Sequence, residues 1–376
     1  MSRLPVTLIT GFLGAGKTSV LHHFISEHQG GHLAVLVENP SPLNLDSKAI
    51  RGLCGAMRRA HDSVYEIPNV DGARQIQAIA NTLRELAQSG RHERVLIELA
   101  GTSGAAWLAR EFLPDGAFAE FSEPTEIICV VDALEFFRAH RANGKIPFAS
   151  FQQEQIAGAT LVVLNKCDLL NDADRNAALA ALRQIVGNAG IIETDYGELP
   201  PELLLRPIGS DEIRRALERT KKITAVAAPD ENLASAVYRV HRPFHPQRFW
   251  DWFNGDNAGL LRVKGVIWLA SRNLLVGGVS RTRWQNSCGA AGIWWAALPR
   301  EEWPQQAAAL MKMQEVWREP YGDRRQELVV IGDAAYLSSS MRRELDACLL
   351  TDDEFSLPPA EWGKFPDPFP AWDLEG

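Results

Sequence analysis

Val6-Thr7-Leu8-Ile9-Thr10-Gly11-Phe12-Leu13-Gly14-Ala15-Gly16-Lys17-Thr18 is the stretch whose reading decides the architecture. Five residues, apolar apart from two threonines, read as a strand. They run into a turn spaced G-x-x-x-x-G-K-[ST], and Ser19-Val20-Leu21-His22-His23-Phe24-Ile25 continues as a helix. Gly11, Gly14 and Gly16 allow backbone dihedrals that turn several N–H groups inward onto phosphate oxygens. The helix start adds a partial positive charge there. Lys17 is expected to reach the β- and γ-phosphates and the Thr18 hydroxyl to ligate Mg²⁺. Ala15 and Ser19 complete the expected phosphate-binding set.

Outward from this segment, short apolar runs alternate with helical spacing. Strands are expected at Val6–Thr10, Leu33–Val37, Val95–Leu99, Ile127–Asp132, Leu161–Asn165 and Ile191–Thr194. Ile76, Ile79, Leu83 and Leu86 recur at helical intervals between the second and third, and Leu179, Leu182, Ile185 and Val186 between the last two. Such an order predicts an α/β fold, a P-loop NTPase parallel sheet with helices on both faces. Ligands bind such sheets at the carboxyl ends of the strands.

Composition sets the outer limits. The chain has 376 residues, which favours two domains, with 46% apolar and 23% charged residues. A net charge of −8 argues against a general nucleic-acid binder. No run spans a bilayer and the N-terminus has no signal-like core, so a soluble protein without membrane contact is expected. Five scattered cysteines without a C-x-x-C pair fit a reducing cytoplasm. Cys129 and Cys348 sit in apolar runs and read as small core residues. Ten of the eleven tryptophans lie at or beyond Trp250, and residues 221–230 have little periodicity, so two separately built cores are expected. The expected division is 1–222 and 233–376, the second a smaller α+β domain.

Two further strand ends carry chemistry. Leu161–Asn165 ends in Asn165-Lys166-Cys167-Asp168. A carboxylate at Asp168 can accept from the ring N–H and exocyclic amine of guanine, a donor pair that adenine lacks. Asn165 would brace the loop and Lys166 would lie along the base. The run Val95-Leu96-Ile97-Glu98-Leu99-Ala100-Gly101 places an acid at a strand end with a glycine after a two-residue spacer. Glu98 would hold Mg²⁺ through water, and the Gly101 N–H would sense the γ-phosphate. Lys17, Thr18 and Glu98 are therefore the expected catalytic groups. Asp132 also ends a strand near this face, with a structural role and a magnesium-linked one both open.

With these residues in place, the chain resembles the CobW-type metallochaperone GTPases over nearly its whole length. The stretches Val35–Asp46, Glu154-Gln155-Ile156, Arg242–Phe249, Val263–Arg272, Gly292–Ala296, Tyr321–Leu328 and Leu345–Asp352 add to the two motifs. They resemble most the branch associated with zinc limitation and nitrile hydratase activation. The resemblance implies binding of GTP and GDP with Mg²⁺, slow hydrolysis, a CobW C-terminal domain, and a client protein that is a metalloenzyme. It also implies a C-x-C-C cluster that binds Zn²⁺. Aligned there, Asp71, Ala73 and Arg74 stand where the three cysteines would be. Alanine cannot ligate and arginine repels a cation. Pro42 replaces a switch-region acid. Asp46, Cys54 and Asp71 remain as candidate transition-metal ligands. His61, His92, His241 and His245 read as surface or structural residues.

In the second part, strands are expected at Ala236–His241, Leu261–Trp268, Leu274–Arg281, Ile293–Ala297 and Leu328–Ile331. Helices are expected near Pro246–Phe253, Glu302–Val316 and Met341–Leu349. The tryptophans read as core, and the proline-rich tail as packing back through Phe365, Phe369 and Trp372. Two functions follow: a metallochaperone or metalloenzyme-activating GTPase, or a metal-independent regulatory or scaffolding GTPase without the cysteine site. A P-loop kinase would prefer ATP, against Asn165–Asp168. No glutamine or arginine presents itself to orient water, so slow turnover is expected, with a partner supplying that group. The 38–46 region and the loop after Gly101 are expected to move with nucleotide state. Client identity and oligomeric state stay open.

Overall fold

The computed structural model describes residues 3–28, 30–38, 63–67, 72–101, 103–141, 149–224, 233–257, 259–283, 285–303 and 307–372. The chain divides into two compact units, Met1–Asp230 and Glu231–Gly376. No helix among the described residues is long and apolar enough to cross a membrane.

The first unit is a seven-stranded, all-parallel sheet. Its strands are β1 Leu4–Thr10, β2 Leu33–Glu38, β3 Ser63–Ile67, β4 Arg94–Glu98, β5 Ser122–Asp132, β6 Leu161–Asn165 and β7 Gly190–Thr194. They lie in the order β3-β2-β4-β1-β5-β6-β7. The order reverses at β1, and this is where a doubly wound sheet opens its crevice. The helices are α1 Lys17–Glu27, α2 Gly72–Ser89, α3 Ala133–Arg141, α4 Ala149–Ala157, α5 Asp172–Val186 and α6 Ser210–Thr224.

Side chains alternate faces along a strand, so β1 feeds two cores. Leu4, Val6 and Leu8 pack with Ile79, Leu83 and Leu86 of α2. Ile9 packs on the other face with Val20, Leu21 and Phe24 of α1. Thr7, fully buried on that second face, is satisfied by Thr125 Oγ1 at 2.6 Å and the Leu204 carbonyl at 2.9 Å. The expected sheet is therefore present, with one strand the sequence did not announce. In β3, Tyr65 and Glu66 are exposed and only Ile67 is buried. An edge strand that buries one side chain has no apolar run to read.

The second unit is a five-stranded antiparallel sheet ordered β11-β10-β9-β12-β8. Its strands are β8 Leu233–Val240, β9 Leu260–Ile267, β10 Leu275–Thr282, β11 Asn286–Ile293 and β12 Gln326–Asp333. The helices α7 Pro246–Asn254, α8 Ala307–Val316 and α9 Arg342–Cys348 complete it. Two expectations need correction here. The strand expected at Ile293–Ala297 is instead the end of β11 followed by a 3-10 turn over Trp295–Ala297. The Asp323 carboxylate accepts the Trp295 and Ala296 N–H groups at 3.1 and 2.9 Å, which takes both donors away from any ladder. The helix expected from Glu302 begins at Ala307, after a 3-10 turn at Arg300–Glu302.

The aromatic residues build this unit's interior. Trp268 and Trp362 are fully buried and Trp294 is nearly so. The tail folds back as expected. Phe369 joins the main core, with Trp372 packed beside it. Asp367 is held by the Arg272 guanidinium at 2.8 and 3.0 Å and by Ser271 at 2.6 Å.

Candidate functional site

The loop between β1 and α1 is built around its glycines. Gly11, Gly14 and Gly16 have φ of 136°, 83° and 104°, all in the region side chains avoid. A Cβ on Gly11 would stand 2.1 Å from the Val130 carbonyl oxygen, and one on Gly16 would stand 2.2 Å from Asn165 Nδ2. The loop is thus pressed against the ends of β5 and β6. Lys17 is buried, and its Nζ donates to the Gly11 carbonyl at 2.8 Å and the Phe12 carbonyl at 3.4 Å. The ammonium therefore lies over the loop it belongs to. Ala15 is buried, and Ser19 opens onto a cleft beside α1.

Thr18 and Glu98 meet across 80 positions, the hydroxyl donating to Oε1 at 3.0 Å. Register explains this: Ile9 pairs with Glu98, so the carboxylate stands at the same sheet edge as the phosphate loop. Glu98 is 3% exposed. A hydroxyl and a buried carboxylate in contact form a hard oxygen pair. That donor set suits Mg²⁺, which takes one or two protein oxygens and keeps the remainder for water and phosphate.

Gly101 lies against the loop as well, because a Cβ there would meet Leu13 Cδ2 at 2.4 Å. The segment after it is pinned from three sides. Glu38 accepts the Ala100 N–H at 2.9 Å and the Ser103 hydroxyl at 3.0 Å, and also bonds Gln75 at 3.1 Å. Gln155 Nε2 donates to the Gly101 and Ser103 carbonyls at 3.2 and 3.0 Å. Thr10 Oγ1 donates to the Ser103 carbonyl at 2.8 Å. Glu38 and Gln155 were not singled out from sequence as site residues. Glu38 does carry the pattern that found Glu98, an acid closing an apolar strand.

On the other side, Asn165 is 2% exposed and bridges two loops. Its Nδ2 donates to the Ala15 carbonyl at 2.8 Å, and its Oδ1 accepts the Gly197 N–H at 3.0 Å. Lys166 has φ of 62°, and its Nζ meets Asp132 Oδ2 at 2.6 Å. Asp132 Oδ1 caps the start of α3 through the Glu135 N–H at 3.0 Å. Both of its oxygens are thus engaged, one by a lysine and one by a helix N–H. Asp168 is exposed, and its N–H donates to Asp195 Oδ1 at 2.9 Å. Asp195 and Gly197, in the turn after β7, are site-forming residues the sequence reading did not name. A Tyr-Gly turn at a strand's carboxyl end was the available signal.

Asp46, Cys54 and Asp71 lie outside the described residues, as do Pro42 and His61. Among the described residues no group of three or more His, Cys, Asp or Glu side chains is gathered to hold a metal ion. Burial pushes the thiols of Cys129 and Cys348 up to about 12 and that of Cys167 to about 11. Without a metal beside them they stay protonated at neutral pH.

Both parts of the chain are similar to known proteins. Residues 5–193 match the family described as CobW/HypB/UreG, nucleotide-binding domain. Residues 233–349 match the cobalamin synthesis protein cobW C-terminal domain. The chain is 27% identical to the zinc-regulated GTPase metalloprotein activator 1 of Dictyostelium discoideum, over 97% of this chain and 84% of that protein. It is 32% identical to the zinc chaperone CobW of Pseudomonas aeruginosa, over 54% of this chain and 60% of that one. The crystal structure of zinc-bound YjiA GTPase from E. coli covers 93% of this chain and all of its own, with 17% identity and a TM-score of 0.40.

Proposed function

The chain belongs to the CobW/HypB/UreG family, and on that premise we propose that it binds GTP, hydrolyses it slowly with Mg²⁺, and uses the cycle to deliver a metal to a client metalloprotein. The observation that supports this most directly is the bond from Asn165 to the Ala15 carbonyl. It joins a phosphate cradle and a base-selecting loop into one site. The names of the relatives, a GTPase metalloprotein activator and a zinc chaperone, supply the cargo and client.

The roles follow from position. Residues 1–222 carry the nucleotide site and residues 233–376 form the C-terminal domain. Gly11 to Ser19 wrap the phosphates, with Lys17 along the β- and γ-oxygens. Thr18 and Glu98 would hold Mg²⁺. When bound, that ion neutralises charge at the β- and γ-phosphates. Gly101, seated on Leu13, would present its N–H to the γ-phosphate, and Glu38 would carry any shift of residues 100–103 to the end of β2. Asp168 would choose guanine. A zinc cargo would fall to Asp46, Cys54, Asp71 or a client's own ligands. A reducing cytoplasm suits the free thiols of the described cysteines.

Calorimetry with GTP and ATP in Mg²⁺ tests the nucleotide assignment. GTP should bind tightly and ATP weakly, and Lys17→Ala should abolish tight binding. Unchanged affinity in that variant removes the site. A zinc titration against a competing chelator tests the cargo: 1:1 sub-micromolar binding is expected, and none would leave a metal-independent regulatory GTPase.

A further inference from the structure

We propose that Tyr196 stacks on the purine and closes a nucleoside compartment between α1 and the turn after β7. This rests on the guanine-nucleotide reading above. Tyr196 is 73% exposed, an unusual fate for an aromatic ring in a well-packed unit. Its φ is 57°, a region that non-glycine residues seldom adopt and that clusters at ligand sites.

The surroundings show what keeps it there. Its neighbour Asp195 accepts the Asp168 N–H at 2.9 Å, and its neighbour Gly197 donates to Asn165 at 3.0 Å. Thr194 Oγ1 donates to the Asp195 carbonyl at 3.2 Å. The residues on either side of Tyr196 are therefore bound to Asp168, expected to select the base, and to Asn165, expected to brace its loop. Gly197 also lies flat on α1, since a Cβ there would come within 2.9 Å of the Val20 nitrogen. These contacts hold the turn where it presents the ring.

Tyr196 lines an open cleft of about 340 Å³ together with Thr18, Ser19, His22, His23 and Ser26 along α1 and with Glu198. Thr18 and Ser19 belong to the expected phosphate-binding set, so the cleft adjoins the phosphate loop. Its size and aromatic wall suit a ribose and base. Stacking holds any base by its π-face. Tyr196 would therefore add affinity for purines, while Asp168 supplies the choice between them.

Calorimetry on the full chain with Mg²⁺ and three probes separates these terms: GDP, ADP and inorganic tripolyphosphate. Tyr196→Asn removes the ring and keeps a residue that tolerates the left-handed backbone. Its GDP dissociation constant should rise about tenfold, with tripolyphosphate binding and the melting temperature of the free protein unchanged. Tyr196→Phe should bind GDP like the wild type, because the face and not the hydroxyl does the work. Should the asparagine variant fold poorly, Tyr196→Gly gives the same readings without strain. Unchanged GDP affinity on loss of the ring overturns the proposal, and so does an equal loss for tripolyphosphate. A wild type that binds ADP as tightly as GDP overturns the guanine reading instead. The stacking would then still show, as equal losses for both nucleotides.

Discussion

Asn165 Nδ2 donates to the Ala15 carbonyl at 2.8 Å in the protein interior, joining residues 150 positions apart. The same amide accepts from Gly197, so one side chain fixes both the phosphate loop and the turn that carries Tyr196. Asn165→Leu would leave the Ala15 carbonyl and the Gly197 N–H without this partner. Each such buried group costs about 1–3 kcal/mol. Chemical denaturation should show stability lowered by about 2–6 kcal/mol. GDP affinity should fall with it, and Asn165→Asp, which keeps only the acceptor, should lie between.

Gly16→Ala should abolish nucleotide binding, because its φ of 104° and the 2.2 Å approach to Asn165 Nδ2 both exclude a Cβ. Gly90→Ala is the control. It has φ of 59° with open space around it, so it should cost about 1 kcal/mol of stability and leave GDP affinity unchanged. Calorimetry and thermal melts on the pair check this.

Thr18→Ala and Glu98→Gln should each reduce phosphate release from GTP by about 10²-fold. The two groups touch and would serve one ion, so the double variant should be scarcely worse than either single one. Stripping Mg²⁺ with EDTA should bring the wild type to the same floor. A double variant with multiplied losses would separate the two roles.

The Arg248 guanidinium, at 3.0 Å from Glu354 Oε1, holds the Glu354 carboxyl down to about 2 from its ordinary 4.5. Between those values the folded state binds fewer protons than the unfolded one. The contribution is therefore fully present above about pH 4.5 and is lost as pH falls toward 2. Urea midpoints measured from neutrality to pH 3 should drop less steeply for Glu354→Gln than for the wild type.

Legibility in the sequence followed the range of the interaction. The phosphate loop was readable because its requirements are local: glycines at fixed spacing, a strand before and a helix after. Asn165–Asp168 was readable for the same reason. The Ile293–Ala297 run reads as a strand because its residues are apolar, yet Asp323, far along the chain, takes the donors of Trp295 and Ala296. β11, Asn286–Ile293, was hidden because its small side chains give no alternation to read.

By itself, the sequence determined the nucleotide-binding class of the first unit and the two-part division of apolar composition, and it marked the residues expected to face phosphate and base. Only the tertiary structure decided their partners: Thr18 with Glu98, Lys166 with Asp132, Asp168 with Asp195, and Glu38 with the loop after β4. The physical reason is the parallel sheet. Each crossover returns the chain by a helix, so strand ends remote in sequence arrive at one edge. Which of them touch depends on strand order and register, and neither is written into any single segment.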